Sequence, residues 1–149
     1  MEKLKTWIKR RGYTLVLEPG VDDRVECEDV KKVHLNSRQG KNSLLSLFLH
    51  ECGHILIYEA RSKQTSVKAR PIAGCNRRDY LSNKRRYGKN TCKRKVAIVT
   101  EEIEAWERGW ELGRRLSIRL SKQKFENVRI KALMTYMRWS AVRNKKRKK

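Results

Sequence analysis

The segment LFLHECGHILIYEA, which runs from Leu47 to Ala60, constrains the fold most strongly because it places two histidines four residues apart in an otherwise apolar run. In an α-helix, residues i and i+4 lie on the same face, so His50 and His54 direct two imidazoles towards one point. The surrounding apolar residues predict a buried helix from about Leu44 to Arg61. Burial of two imidazoles and the Glu51 carboxylate is costly unless a partner satisfies them. The spacing therefore favours a metal ion as that partner.

The same five residues, HECGH, match the pattern HExxH, in which each fixed letter has a chemical role. Neutral imidazole is a good zinc ligand. Glu51 follows His50 by one residue and points about 100° around the helix from it, beside the metal rather than on it. A carboxylate there suits a general base that takes a proton from zinc-bound water, whose pKa the metal lowers to about 7. We predict a catalytic Zn²⁺ held by His50 and His54, with Glu51 as the catalytic base.

The histidine content limits the choice of a third ligand. The chain has three histidines, of which His34 lies upstream in a predicted strand, and none follows His54. A catalytic zinc site usually has three protein ligands and one open position, so we expect a downstream carboxylate as the third. The sequence offers eight candidates, namely Glu59, Asp79, Glu101, Glu102, Glu104, Glu107, Glu111 and Glu126.

A stripe of small residues separates these candidates. The segment EEIEAWERGWELGRRL begins a helix predicted from Glu101 to about Ser121, and every fourth residue on one face is small, namely Ala105, Gly109 and Gly113. Such a stripe lets another backbone approach closely, and Glu102 extends the same face. Glu101 and Glu104 share a different face, which we interpret as solvated. Glu102 is therefore the predicted third ligand, with Glu101 and Glu104 as the alternatives.

The two motifs together resemble a known family. HExxH followed by a second helix that carries ExxA is the gluzincin pattern of zinc metallopeptidases, and it stands here as HECGH at 50–54 and EIEA at 102–105. The order of strand, turn, HExxH helix and ExEA helix is similar to that of the small ImmA/IrrE-type peptidases of bacteria, mobile elements and phages. The resemblance covers about residues 31–60 and 99–116.

The resemblance implies zinc ligation by His50, His54 and Glu102, with Glu51 as the general base. It also implies that the predicted strand Lys31–Asn36 is a sheet edge to which an extended substrate adds as a further strand. The expected fold is accordingly a minimal zincin-like domain.

The remaining patterns predict a single α+β domain over residues 1–142. The segment TLVLE ends at a Pro-Gly turn and predicts a strand, and a last helix is predicted from Phe125 to Val142. The expected architecture is a small N-terminal β-sheet packed on the HExxH helix and on the ligand-bearing helix that follows. Residues 143–149 form a basic tail that we expect to be disordered.

Charge is distributed unevenly along the chain. The net charge is +22, and residues 61–95 carry thirteen Lys or Arg against one acidic residue, Asp79. We interpret residues 61–98 as a long, irregular basic insert. Lys and Arg neutralise phosphates without sequence preference, so DNA or RNA is a candidate partner of the insert and of the tail.

No apolar run approaches the roughly 20 residues that a membrane span needs, and the N-terminus lacks the apolar stretch of a signal peptide. The expected location is the cytoplasm of a bacterial or phage-infected host cell. The expected function is a zinc metalloendopeptidase that hydrolyses a cytosolic protein, including one associated with nucleic acid. The alternative is a nucleic-acid-binding or virion-associated structural protein with a structural or vestigial metal site.

Overall fold

The computed structural model describes residues 1–27, 30–64 and 92–141. These residues form four helices and one three-stranded sheet, which is the α+β class expected from the sequence. No helix within these ranges combines the length and the apolar character that crossing a membrane requires. In chain order the elements are α1 (Glu2–Lys9), β1 (Thr14–Glu18), β2 (Arg24–Glu26), β3 (Lys32–Asn36), α2 (Lys41–Gln64), α3 (Cys92–Arg115) and α4 (Lys122–Ala141).

The sheet has the strand order β1-β3-β2, so β3 is its central strand. Strand β1 pairs with β3 in parallel, and β2 pairs with β3 in antiparallel orientation. The prediction that Lys31–Asn36 forms a sheet edge is therefore wrong, because both sides of β3 are paired. Only three residues of an acidic segment form β2, and so short a strand gives no clear alternation in the sequence. Within the described sheet, the edges are β1 and β2.

One part of the core lies between the sheet, α1 and α2, and the core continues to buried residues of α3 and α4. Val33 and Leu35 alternate on β3 and are fully buried, while Phe48 and Ile55 are the corresponding buried residues of α2. Helix α1 was not predicted, yet it buries Leu4 and Ile8, which are four residues apart on one face. The sheet and α1 thus cover one side of the helix that carries HECGH.

The helices around the predicted insert are longer than expected. Helix α2 continues to Gln64 rather than ending near Arg61, and α3 begins at Cys92 rather than at Glu101. Residues 61–64 and 92–98 are thus helical, not irregular, because Lys and Arg are good helix formers and a charge run does not end a helix. Helix α3 ends at Arg115, before the predicted end at Ser121. Residues 65–91 of the insert and the tail at 143–149 lie outside the described residues.

Helices α2 and α3 approach so closely that their backbones touch, as the small-residue stripe predicts. A Cβ atom added at Gly53 would overlap the carbonyl of Ala105, and one added at Gly109 would overlap the carbonyl of Leu49. Because Gly53 faces Ala105 while Leu49 faces Gly109, the two helices run in opposite directions. Close approach is possible only where both surfaces lack bulky side chains.

Helix α4 packs less closely. Phe125 near its start is fully buried and packs against the rings of Trp106 and Trp110, with centroid distances of 5.3 and 4.9 Å. Further along the helix, Met134 and Met137 are 41% and 54% exposed. The hydrophobic contacts of α4 with the core therefore extend from its start to Leu133, about the middle of the helix.

Candidate metal centre

Three side chains from two helices converge at the contact between α2 and α3. The Nε2 atoms of His50 and His54 lie 3.2 Å apart. The Oε2 atom of Glu102 lies 3.1 Å from Nε2 of His50 and 3.6 Å from Nε2 of His54. Ligand atoms at zinc-bond distances from a tetrahedral ion are separated by about 3.3 Å, so the three atoms have the spacing of one face of such a coordination shell.

The local sequence explains this convergence. The i, i+4 spacing on α2 puts both imidazoles on the face that α3 covers. Glu102 is on α3, three residues before Ala105, whose carbonyl contacts Gly53 between the two histidines. Glycine at position 53 lets the α3 backbone come near enough for a glutamate side chain to reach both rings.

The donor atoms of the cluster are chemically suited to bind a metal ion. The Oε2 atom of Glu102 is buried and has no hydrogen-bond partner among the described residues, although two imidazole nitrogens lie at ion-pair distance. The three ligand atoms all lie close enough together to hold one ion. Two imidazole nitrogens and one carboxylate oxygen are a common ligand set for a zinc site that keeps an open position.

The electrostatics of the cluster favour a cation between the three groups. Burial alone would raise the pKa of Glu102, but the imidazoles of His50 and His54 outweigh it and lower that pKa to about 2. Burial opposes a charge on His54, yet Glu101 and Glu102 together raise the pKa of His54 to about 10. In the metal-free protein, a proton on His54 thus balances the neighbouring carboxylates.

Glu51 lies beside the cluster but outside it. Its side chain is only 5% exposed, and its Oε1 atom is 3.9 Å from Nε2 of His50. Burial raises the pKa of Glu51, and the neighbouring imidazoles only partly oppose this effect. A carboxylate with a raised pKa next to the ligands, and not among them, has the properties expected of a general base.

The two alternative third ligands, Glu101 and Glu104, are not among the three converging ligand residues. Glu104 pairs with Arg108 on its own helix at 2.7 Å, as expected for a solvated face. Glu101 does not share that environment, because it faces α2, where its carboxylate pairs with Arg61 at 2.8 Å and approaches Nδ1 of His54 at 3.7 Å. The expectation of a solvated Glu101 is therefore wrong. Because α3 begins nine residues earlier than predicted, Glu101 lies within the helix, where the end of α2 covers it.

His34 is outside the cluster, as expected, but it is not a surface residue. Its side chain is 12% exposed on the central strand, and its Nε2 atom is 3.4 Å from a carboxylate oxygen of Glu26 on β2.

Two residues next to the site were not among the predicted site residues. The ring of Trp106 stacks on His50 with a centroid distance of 4.4 Å and an angle of 23°. Trp106 lies four residues after Glu102, so its helical spacing was a usable signal. The carboxylate of Asp23 accepts a hydrogen bond from the Asn36 backbone N–H and lies near enough to His50 and Glu51 to influence them electrostatically. Only the pairing of β2 with β3 brings Asp23 there.

Comparison with known proteins adds no relative to this picture. No protein-family model matches the chain, and no curated protein or solved structure matches it either. The assignment of the site therefore depends on the geometry and the chemistry of its own side chains.

Proposed function

We propose that the protein is a zinc-dependent endopeptidase that hydrolyses peptide bonds of a protein substrate. The observation that carries this proposal is the convergence of His50, His54 and Glu102 to within 3.1–3.6 Å of one another, with the buried carboxylate of Glu51 beside them. This is the ligand set and the base that the resemblance to gluzincin-type peptidases implies.

The roles of the residues follow from their chemistry. His50, His54 and Glu102 would hold the zinc ion. When bound, zinc supplies a Lewis acid that polarises the scissile carbonyl and lowers the pKa of a coordinated water. Glu51 accepts a proton from the attacking water and passes it to the leaving amine nitrogen. Its raised pKa makes Glu51 a stronger proton acceptor than an exposed carboxylate.

Strand β2 is the better candidate for substrate binding, since β3 is paired on both sides. Its antiparallel partner is β3 on one side, and the described sheet continues no further on the other. Asp23, directly before β2, is electrostatically coupled to His50 and Glu51. An extended peptide added to the outer side of β2 would therefore run close to the metal cluster.

Glu51→Gln tests the proposal most directly. The amide keeps the size of the side chain but cannot accept the proton, so we expect zinc to remain bound while peptide hydrolysis falls by at least about 100-fold. Zinc is measured by elemental analysis. Hydrolysis is measured by mass spectrometry of the products formed from a peptide library. Glu104→Gln on the solvated face of α3 is the matched control. A zinc-loaded Glu51→Gln protein that cleaves at the wild-type rate would refute the assignment.

A second candidate function is nucleic-acid binding, favoured by the corner between α3 and α4. Residues 112–125 contain no acidic residue, and five cations there are exposed, namely Arg114, Arg115, Arg119, Lys122 and Lys124. Of these, Arg114 pairs with Glu111, whereas the other four have no ion pair within the described ranges. Unpaired cations on one surface neutralise phosphates and release counterions.

Salt titration of DNA and RNA binding tests this second function. Changing Arg115, Arg119, Lys122 and Lys124 to Gln is expected to reduce the slope of log affinity against log salt by about 2–4, because each phosphate contact contributes about 0.9. The matched control changes four exposed cations elsewhere, Lys9, Arg10, Arg38 and Lys41, and so removes the same charge. Equal slopes for both variants would mean that the corner contributes only net charge.

A further inference from the structure

The two imidazoles of the metal cluster are held by different kinds of neighbour. The Nδ1 atom of His54 lies 3.7 Å from Oε1 of Glu101. The other carboxylate oxygen of Glu101 accepts a 2.8 Å hydrogen bond from Nη1 of Arg61. Arg61 and Glu101 are only 25% and 17% exposed, so this ion pair is shielded from water on most sides.

Glu101 and Glu102 approach opposite nitrogens of the same ring. Glu102 lies on the Nε2 side of His54, where the three ligand atoms converge, and Glu101 lies on the Nδ1 side. Consecutive residues of a helix point about 100° apart, and this angle lets two adjacent glutamates flank one imidazole. Glu101 is thus too far around the ring to share a metal ion with Nε2 of His54.

We propose that Glu101, held in place by Arg61, is a positioning residue that orients His54 as a metal ligand. This inference rests on the proposed metal site. A carboxylate at Nδ1 favours the tautomer that carries its proton on Nδ1 and leaves the lone pair of Nε2 for the metal. It also restricts rotation of the ring. Arg61 prevents Glu101 from turning towards the metal, because the guanidinium binds its second oxygen.

His50 provides an internal contrast. Its Nδ1 atom is buried and has no hydrogen-bond partner among the described residues. Its ring is instead stacked on Trp106. Stacking restricts the plane of a ring but does not choose its tautomer, whereas a carboxylate does both. The metal therefore depends on Glu101 for one ligand only, and loss of Glu101 should weaken the site without abolishing it.

Zinc affinity of the full chain tests this role without any substrate. Zinc binding is measured by competition with a chromophoric chelator, and Co²⁺ absorption reports the coordination geometry. We expect Glu101→Ala to bind zinc about 10–100-fold more weakly, as for other residues that orient a ligating histidine. Glu101→Gln should recover part of the loss, because its amide oxygen remains a hydrogen-bond acceptor on the Nδ1 side of the ring. Glu104→Ala, three residues further along α3, should bind within about twofold of wild type.

Two results would overturn the inference. Wild-type affinity in Glu101→Ala would show that His54 needs no such neighbour, and complete loss of zinc, as expected for Glu102→Ala, would make Glu101 a ligand. Arg61→Gln tests the same contact from the other side if Glu101→Ala does not fold. It should weaken zinc binding by a smaller factor than Glu101→Ala, and an unchanged affinity would count against the inference.

The same measurements separate this inference from the proposed function. If the wild-type chain binds no zinc, or if Glu102→Ala binds it as tightly as wild type, the metal site itself is wrong. If wild type binds zinc and Glu102→Ala does not, while Glu101→Ala equals wild type, only the positioning role fails.

Discussion

Helix α3 packs against α2 and against α4 in two different ways. Towards α2 it presents Ala105 and Gly109, and the two backbones touch. Towards α4 it presents the rings of Trp106 and Trp110, which receive Phe125. The first contact leaves almost no freedom to shift, because backbone atoms cannot change rotamer. The second is made by side chains, which can adjust. The candidate metal site lies at the first contact, where three ligands from two helices need fixed relative positions.

The largest effect is expected at the contact between α3 and α4. Phe125 is the one buried residue of α4, all of which the structure describes. Phe125→Ala should lower the free energy of unfolding by about 3–5 kcal/mol, because a fully buried aromatic ring is replaced by a cavity. Urea denaturation measures this change. A loss below about 1 kcal/mol would show that α4 is held mainly by other contacts.

A change of pH acts on the other contact, where the charges are buried. The pKa of His54 is about 10 in the folded protein and near 6.5 when unfolded, so the folded state binds this proton more tightly. The resulting stabilisation is complete below about pH 6.5 and is lost as the pH rises through about 10.

We expect the metal-free protein to lose on the order of 3–5 kcal/mol of stability over that interval. Denaturation in the presence of a chelator, repeated at each pH, measures this loss. In His54→Gln, the decrease in the free energy of unfolding that is assigned to His54 between about pH 6.5 and 10 should disappear. An equal slope in both proteins would assign the pH dependence to other residues.

Two glycines of α3 allow a backbone contact and a side-chain contact to be compared within a single helix. Both face Leu49, but Gly109 meets its backbone carbonyl, whereas Gly113 meets its side chain at 3.2 Å. Gly109→Ala should cost about 1–3 kcal/mol and weaken zinc binding, since the helices must separate. Gly113→Ala should be nearly neutral, because Leu49 can move its side chain and alanine favours the helix by about 1 kcal/mol. Thermal unfolding with and without zinc measures both variants, and equal effects would contradict a rigid backbone contact.

The smallest effect is expected on the exposed part of α4. Met137→Ala should change the free energy of unfolding by no more than about 0.5 kcal/mol, because the side chain is more than half exposed. The same urea experiment used for Phe125→Ala provides the measurement. A loss of 2 kcal/mol or more would mean that this side chain is covered in solution.

Much of the site could be read from the sequence because its information is local. The spacing of His50 and His54 fixes their common face on any helix, and the position of Glu51 follows from the same geometry. The choice of Glu102 needed only one further pattern, the small-residue stripe. Elements that lack a clear sequence pattern are harder to predict. Helix α1 has no clear signal in the sequence. The end of α2 and the start of α3 differ from the prediction because a run of Lys and Arg does not end a helix.

The sequence by itself determined that two imidazoles and a carboxylate lie on one buried helix and that a glutamate on a second helix could join them. Only the tertiary structure decided which neighbours each of them has. Strand order made β3 central and left β2 as an edge near the cluster, since pairing is chosen between distant segments. The contact between Arg61 and Glu101 likewise joins residues 40 positions apart, and the proposed orientation of His54 depends on it. Helical periodicity describes one element at a time and carries no information about such contacts between elements.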